Sequence, residues 1–470
     1  MPKSSFQLVI SALTQLVMIV VLLLGSHAQA QEVVWVKTYG GYGSDRAWGS
    51  CPTADGGFVL VGFTTVYGYD IQIYMVKTDS KGDTLWTRVY GGYGWDQANS
   101  VQPTADGGYV MAGWGDSYGN AVQAYLIKTN SRGDTLWFRT YGGVDLDDAI
   151  SVQQTSDGGY IFVGSTHSYG AGHWDVYLVK TDSTGVPEWT RVYGGVTDDR
   201  GAWVEQTTDG GYIVTGYTES FAPHRGVYLL KTDSEGDTLW TRVYYPWYSD
   251  WNHGFCCQQS EDGGYIVSGY SVDNTTGNCY FSLIKTDPEG DTLWTRTYGG
   301  FFLAWGRSVR QTHDGGYIVA GHLQSYESGY QNDIYIVKTD QEGDTLWTRS
   351  FGGTEGDVAV DVQQTSDGSY IVVGATGSHG AGSSDVYLLK ISSSLMPTLR
   401  GDANGDGVIN VSDVVYLINY VLKGGPTPEP LKAGDANCDL WIDLEDVIYL
   451  IRYLFLGGPE PGLGCDKAGN

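Results

Sequence analysis

The sequence is short of what most other fold classes need. Of 470 residues only 5 are Met and 6 are Cys, and 27 Lys and Arg stand against 54 Asp and Glu, a formal charge of −27. So sparse a basic complement excludes a phosphate-backbone partner, because binding nucleic acid by counterion release needs clustered Lys and Arg. Catalytic signatures are missing as well: there is no HExxH, no GxSxG in a strand–turn–helix setting and no paired Cys-x-x-Cys zinc spacing. His167, His173, His224, His253, His313, His322 and His379 are scattered singly, which suits packing or surface roles better than ligation. After residue 30 no apolar run is long enough to span a bilayer.

What is abundant points to strands. The chain has 68 Gly, 35 Tyr and 16 Trp, the profile of short aromatic-rich strands joined by glycine turns, as in sandwiches, barrels and propellers. An acidic surface serves solubility and the ligation of hard cations. Residues 1–30 contain Lys3, the apolar run from Leu16 to Leu24 and Ala28-Gln29-Ala30, the pattern of a secretory signal peptide cleaved after Ala30. Polar Thr14 and Gln15 shorten the apolar stretch and argue against an uncleaved anchor. Cleavage would remove one charge, Lys3, and leave −27 − 1 = −28. The expected setting is therefore extracellular or cell-surface associated, where cysteines can form disulfides.

One phrase, GDTLWTR or a near variant, recurs with its tryptophan at Trp35, Trp86, Trp137, Trp189, Trp240, Trp294 and Trp347. The intervals of 51, 51, 52, 51, 54 and 53 residues match one four-stranded propeller blade each, so seven anchors predict seven blades over residues 31–390. In the second full copy the strands are predicted at Ala98–Thr104, Tyr109–Trp114, Ala124–Thr129 and Thr135–Tyr141. Asp-Gly at Asp55, Asp106, Asp157, Asp209, Asp262, Asp314 and Asp367 predicts a tight primed hairpin between the first two strands. A lone fourth strand at Val33–Tyr39 and a last repeat that stops after its third strand, Val386–Lys390, predict closure of the ring by the N-terminal strand.

Residues repeated seven times answer a need repeated seven times, so the recurring Trp and Tyr are read as blade packing. By the same logic Lys77, Lys128, Lys180, Lys231, Lys285 and Lys338, and Arg88, Arg139, Arg191, Arg242, Arg296 and Arg349, are expected to be solvated or paired edge residues. Acidic pairs such as Asp147-Asp148 and Asp198-Asp199 would suit the two carboxylates of a glycoside hydrolase, but comparable aspartates at Asp45, Asp96, Asp250 and Asp357 favour a structural role.

After a linker over 391–400 the composition changes to two Asp/Asn-rich loops, each followed by an apolar helical run, within 401–466. Oxygen side chains at loop positions one, three, five, nine and twelve, with a carbonyl at seven, are what a calcium ion of coordination six to eight requires. Asp402, Asn404, Asp406, Val408, Asn410 and Asp413 would hold one ion; Asp435, Asn437, Asp439, Trp441, Asp443 and Asp446, offset by 33 residues, would hold a second. Two loops, with helices carrying Val414–Tyr420 and Val447–Tyr453, resemble type I dockerins over about residues 401–460. The resemblance implies docking onto a cohesin or cell-surface partner, often in polysaccharide breakdown. Val411-Ser412 and Leu444-Glu445 stand where family members often present Ser-Thr to the cohesin. Position six is Gly407 in one loop and Leu440 in the other. Cys438 and Cys465 are both absent from the first copy, so they are expected to pair; Cys279 would pair with Cys256 or Cys257, leaving Cys51 and one neighbour unassigned.

A unique ligand site should break the repeat symmetry. The loop after the fourth strand normally begins Tyr-Gly-Gly but reads Tyr244-Tyr245-Pro246-Trp247-Tyr248, and the next repeat continues Phe301-Phe302-Leu303-Ala304-Trp305. Trp247, Tyr248, Trp251 and Trp305 are accordingly the candidate contacts for a glycan, with cover for a blade that lost its glycine turn as the competing explanation. The expected function is recognition or scaffolding; the alternative is a polysaccharide hydrolase or lyase with a catalytic propeller.

Overall fold

The structure is a computed structural model that describes residues 33–65, 70–117, 121–221, 224–246, 251–301, 303–324, 331–392, 401–404, 409–423, 425, 428, 431–437, 441–459 and 461. Val33–Ser393 form one compact unit and the described residues after 400 belong to a second. The first unit is a seven-bladed β-propeller of 28 strands in seven four-stranded sheets. Blades 1 to 6 take consecutive strands from Asp45–Tyr90, Asp96–Tyr141, Ser151–Tyr193, Asp199–Tyr244, Asn252–Phe301 and Leu303–Phe351.

Blade 7 has three strands of its own from Asp357–Ile391, and the N-terminal strand β1 (Val33–Tyr39) supplies its fourth. β1 runs antiparallel to β28 (Asp385–Ile391), with Val36 opposite Leu389 and Tyr39 opposite Val386. In blade 2 the strands are Asp96–Pro103, Tyr109–Gly115, Gln123–Thr129 and Thr135–Tyr141, within two residues of the bounds read from the sequence.

Every second and third strand is almost wholly buried because neighbouring blades cover both faces, whereas the fourth strand alternates between covered and exposed residues at the rim. Blades are joined by one device repeated around the ring. In six blades the rim tryptophan packs edge-on against the first tyrosine of the next blade's second strand, as Trp86 does on Tyr109 and Trp189 on Tyr212; where Trp35 of blade 7 meets blade 1, that strand begins with Phe58. Two residues after the rim cation, which is Lys37 in β1 and an arginine in the other blades, a tyrosine hydroxyl donates to a glycine carbonyl of the following blade: Tyr39 to Gly82, Tyr141 to Gly185 and Tyr298 to Gly343. Those glycines sit at φ near +80°, and a Cβ on Gly133 would lie 2.9 Å from the Trp86 ring, so both conformation and space demand glycine there.

The Asp-Gly loops differ from the two-residue hairpins expected of them. Gly107 N–H donates to Thr104 O and Thr104 N–H to Gly108 O, a longer turn closed by Gly107 at φ +80°. Asp106 is thereby freed to bind: its carboxylate accepts from the Thr104 hydroxyl, the Gly108 N–H and Lys128 Nζ. The lysines are thus paired but not solvated. Lys77, Lys128, Lys180, Lys231, Lys285 and Lys338 keep only 2–5% of their side-chain area exposed, inside the blade on third strands rather than at an edge. The rim arginines match expectation: Arg88 lies over Trp86 and pairs with Asp134 of the next blade.

Partial burial alone would raise the Asp106 pKa, but hydrogen bonds from Thr104, Lys128 and Gly108 and the Lys128 charge outweigh it and hold Asp106 at about 2. The same balance sets Asp55, Asp157 and Asp209 at about 2. A folded-state value below the unfolded one means that the contribution is complete above about pH 4 and is lost as pH falls toward 2. Asp106→Asn is therefore expected to lower the melting temperature most at neutral pH, with the penalty shrinking at pH 2; a penalty constant across that window would contradict the pairing. Deleting residues 33–39 should lower the propeller's melting temperature and promote self-association through the opened edge of blade 7, measured by calorimetry and light scattering.

Candidate functional site

In a propeller the first strand of each blade lines the axis, and here those strands are aligned residue by residue through their pairing with the second strands. Within six blades the alignment slips by one residue at the same place: between Ala47 and Gly49, Ala98 and Ser100, Gly201 and Trp203, Gly254 and Cys256, Gly306 and Ser308, and Ala359 and Asp361. A bulge of this kind leaves one residue out of the ladder and re-aims its side chain. The residues so displaced, with Ile150 of blade 3, are Trp48, Asn99, Ala202, Phe255, Arg307 and Val360, and all seven line one axial cavity of about 260 Å3. Around them the repeat keeps its packing residues nearly constant, yet this position holds seven different amino acids. That is the pattern of a binding site built on a scaffold, and among the seven only Arg307 is charged.

Arg307 stands beside an aromatic ladder confined to blades 4 to 6. Its guanidinium carbon is 4.3 Å from the Phe255 ring centre and 4.8 Å from that of Trp305. Trp305 stacks on Tyr270 at 5.4 Å and touches His322 at 5.3 Å, while Phe255 lies 4.3 Å from His253. The ladder continues through Tyr217, 4.9 Å from His253, to Arg225, which lies 4.0 Å over Tyr217 and 4.5 Å over Trp251. Trp251 and Trp305, two of the four residues singled out by the broken repeat, thus occupy one continuous run of contacts. Trp247 and Tyr248 lie outside the described residues.

The charges along this ladder are unequal. Arg225 is neutralised by Glu219, 2.5 Å away. Arg307 has no carboxylate partner among the described residues, and its Nε is buried without a hydrogen-bond acceptor. Burial pulls the Arg307 guanidinium down to about 10, with the nearby Tyr270 opposing. Burial, with Arg307 and Arg225 close by, likewise pushes His253 to about 3, and burial beside Arg307 does the same to His322, so both rings are neutral around Arg307. A second cavity of about 170 Å3 is lined by Trp203, Glu205 and Arg310, among others. There burial raises the Glu205 carboxyl to about 7 against the Arg310 charge, and Arg310 pairs with Asp361 at 3.3 Å.

The recurring aspartates are structural, and the repeat register differs from the one read off the sequence. Asp45, Asp96, Asp147, Asp199 and Asp357 are buried at the head of the first strands, each accepting the N–H of a loop glycine, Gly41, Gly92, Gly143, Gly195 and Gly353. Asp147 and Asp199 are the members of their pairs that do this, not Asp148 or Asp198. In blade 5 the equivalent is Asn252, whose amide donates to Arg225 O, and Asp250 lies outside the described residues. Cys51, Cys256, Cys257 and Cys279 are buried free thiols, so the expected pairing of Cys279 with Cys256 or Cys257 is not made. The Cys279 thiol instead donates to Ala304 O, and Arg310 donates to Cys256 Sγ.

In the second unit, helices α1 (Val411–Lys423), α2 (Leu431–Gly434) and α3 (Leu444–Leu456) surround a small duplicated core. Ala403, Val414 and Leu417 repeat as Ala436, Val447 and Leu450 at the 33-residue offset. Each loop folds back on its last acid. Asp413 accepts from the Asn404 and Asn410 N–H groups, and Asp446 from those of Asn437 and Asp443. Asn410 and Asp443 in turn accept the N–H two residues on, which caps the following helix.

Asp402, Asp413, Asp435 and Asp446 are all buried. Burial raises the Asp446 carboxyl; backbone N–H groups oppose this, and the charge of Asp435 adds to it. Two like charges held together away from water fit a cation between them. Among the described residues no three acidic, His or Cys side chains converge; Asp406, Val408 and Asp439 lie outside them. The Trp441 side chain is 74% exposed. Cys438 and Cys465 also lie outside the described residues.

Comparison with known proteins separates the two units. Residues 400–455 match the family model of the dockerin type I domain. A curated relative, the regulatory protein FlaEY of Caulobacter vibrioides, is 25% identical over 185 residues, covering 33% of this chain and 19% of its own, so the chain spans about a fifth of that protein. Among solved structures, Sqt1 of Chaetomium thermophilum matches 74% of this chain and 83% of its own at 11% identity and a TM-score of 0.44. The Pan2 WD40 domain of Neurospora crassa matches 75% and 89% at 9% identity and 0.43. No helix among the described residues is long and apolar enough to cross a membrane. The chain thus joins a seven-bladed β-propeller to a segment, 400–455, that matches dockerin type I domains, whose members bind calcium, typically dock onto cohesins and are typically extracellular or cell-surface proteins.

Proposed function

We propose that this chain is an exported adaptor in which a calcium-loaded dockerin tail anchors a propeller that recognises a ligand at its axis. The duplicated loops, with buried acids at loop positions one and twelve in both copies, carry the first half of the reading. One ion would sit among Asp402, Asn404, Asp406, the Val408 carbonyl, Asn410 and Asp413; a second among Asp435, Asn437, Asp439, the Trp441 carbonyl, Asp443 and Asp446.

Docking is supported by apolar side chains left in water on the helices. Val415 and Leu422 of α1 are exposed, and so are their counterparts Ile448 and Phe455 of α3, which Leu444 extends by one turn. On α3 these fall at i, i+4 and i+11, one stripe of a helix surface. The second copy is the larger and more apolar of the two, so α3 is the better anchor for a cohesin.

The propeller half rests on the axial position that varies from blade to blade while the seams stay constant. Trp305 and Trp251 belong to the ladder that borders this cavity, and Trp247 and Tyr248 are proposed to extend it. The alternative, a catalytic propeller that hydrolyses or cleaves polysaccharide, gains little: Asp147 and Asp199 are engaged with their own loops, and Glu205 beside Arg310 lacks a second free carboxyl at the spacing that glycoside hydrolysis requires among the groups described.

Titration of the chelator-stripped chain with calcium should give two ions bound, and Asp446→Asn should lose one. Capture by an immobilised type I cohesin should require calcium, vanish with EGTA and weaken at least tenfold in Ile448→Asp. Retention of cohesin in EGTA, or calcium-independent behaviour throughout, would remove the adaptor reading. Release of reducing sugar from plant or algal glycans would favour the alternative.

A further inference from the structure

One residue of the axial ring is at odds with the protein's own stability. Six of the seven side chains aimed into the cavity by the first strands are neutral, and the seventh, Arg307, brings a positive charge with no carboxylate partner among the described residues. Arg307 is half-buried at the cavity wall, and an unpaired charge partly withdrawn from water is unfavourable by comparison with a neutral side chain. The aromatic faces of Phe255 and Trp305 offset part of this by cation–π attraction, but they contribute no hydrogen-bond acceptor. The flanking His253 and His322 contribute no negative charge either. Elsewhere the molecule handles its cations differently. The lysines of the hairpins, the rim Arg88, Arg191, Arg242 and Arg296, and also Arg225 and Arg310 are each matched to an acid. Arg200 also has an unpartnered Nε, but it lies 4.1 Å over Trp174, near the Asp148 carboxylate, and does not line the axial cavity, so Arg307 is the unmatched cation that faces this space.

The rest of the cavity says what would complete it. Trp48, Trp114, Trp203 and Phe255 offer flat apolar surface, and Asn99 and Gln97 offer amides, around a volume of about 260 Å3; the acid in the lining, Asp361, is engaged by Arg310 and by the Ser50 and Ser308 hydroxyls. That is just below the roughly 300–1,000 Å3 typical of pockets for drug-sized ligands, which limits the occupant to one or two rings. Apolar faces, hydroxyl-bearing edges and one negative group are combined in a sugar acid. A guanidinium binds a carboxylate through two parallel N–H donors, and that geometry is stronger and more selective than a single neutral hydrogen bond.

We propose that the axial cavity binds a carboxylated sugar, a uronic acid or the uronate end of an acidic glycan, with Arg307 pairing the carboxylate and the rings around it packing on the sugar face. This deepens the recognition reading of the propeller and rests on it.

The test is calorimetric titration of the full chain with D-glucuronate and D-galacturonate, against D-glucose and D-galactose as neutral counterparts. At least one uronate should bind ten times more tightly than its neutral counterpart, and Arg307→Gln should abolish the difference. Because the arginine is held at a cost to stability, Arg307→Gln should melt no lower than the parent chain, whereas an arginine with a purely structural role would melt lower when removed. Ala202→Asp serves as the second variant: it leaves Arg307 in place, supplies a carboxylate across the cavity and should also abolish uronate binding. If neither uronate outbinds its neutral counterpart, or if the preference survives both substitutions, the proposal is overturned. Binding of neutral sugars without preference would overturn this inference alone and leave the recognition reading standing; binding of none of the four would remove both.

Discussion

The propeller depends on the seam between one blade's rim strand and the next blade's hairpin. A four-stranded sheet of this length has two apolar faces and cannot bury either by itself, so each blade is stable only against its neighbours. The tryptophan that packs on the next tyrosine and the tyrosine hydroxyl that reaches the next glycine carbonyl set the distance and tilt between sheets. The glycine at that carbonyl has no room for a side chain, which makes the seam intolerant of drift in either partner. Two seams depart from this: Phe351 replaces the tyrosine at the end of blade 6 and has no hydroxyl to give, so packing of Trp347 on Tyr370 carries that junction, and Phe58 stands where the next tyrosine would be in blade 1, so the Tyr39 hydroxyl bond to Gly82 O holds the blade 7 to blade 1 seam.

Rigid seams at the rim leave the axis free to vary. Stability is placed in the second, third and fourth strands and in the hairpin loops. In six blades the first strand carries a displaced residue that faces the cavity and takes no part in the repeated Trp–Tyr and Tyr–Gly contacts, although Val360 packs against the core shared by blades 7 and 1 and Asn99 donates to Ala149 O of the next blade. Seven different side chains therefore occupy equivalent places without disturbing the ring, and chemistry can be concentrated on one side, as it is in blades 4 to 6. The ladder from Trp251 to Trp305 shows the same division: its rings lean on each other and on two arginines, Arg225 and Arg307, rather than on the repeating contacts.

The acidic excess is spent in three separate ways. Aspartates at the heads of the first strands tie down glycine loops; those in the hairpins fix buried lysines; those in the C-terminal unit gather where a cation fits. None of these is a broad negative field built to attract a partner. The hairpin lysines show why a solvated reading was natural and why it is incomplete: a lysine on a third strand has nowhere to go but alongside the turn, and Asp106 can receive Lys128 only because the turn is longer than Asp-Gly by itself suggests.

Blade number, strand positions and ring closure were legible in the residues because they are periodic, and periodicity survives without coordinates: a lone strand at Val33 and a missing one after Ile391 can be matched on paper. The paired Asp/Asn-rich loops were legible for the same reason, at an offset of 33 residues. The broken repeat at residues 244–253 and at Trp305 falls in the blades that hold the aromatic ladder. The ring that contains Arg307 was not legible, since a bulge is a property of pairing between strands and the extra residue looks like any other in the linear order; the signal available was a repeat position filled by Trp48, Asn99, Ile150, Ala202, Phe255, Arg307 and Val360. Likewise the four propeller cysteines suggested a pairing that depends on distance. By itself, then, the amino-acid order determined the architecture, because a repeated apolar pattern admits one way of burying itself. Only the tertiary structure decided which side chains meet at the axis and which charge is left unmatched there, because those are contacts between blades some fifty residues apart.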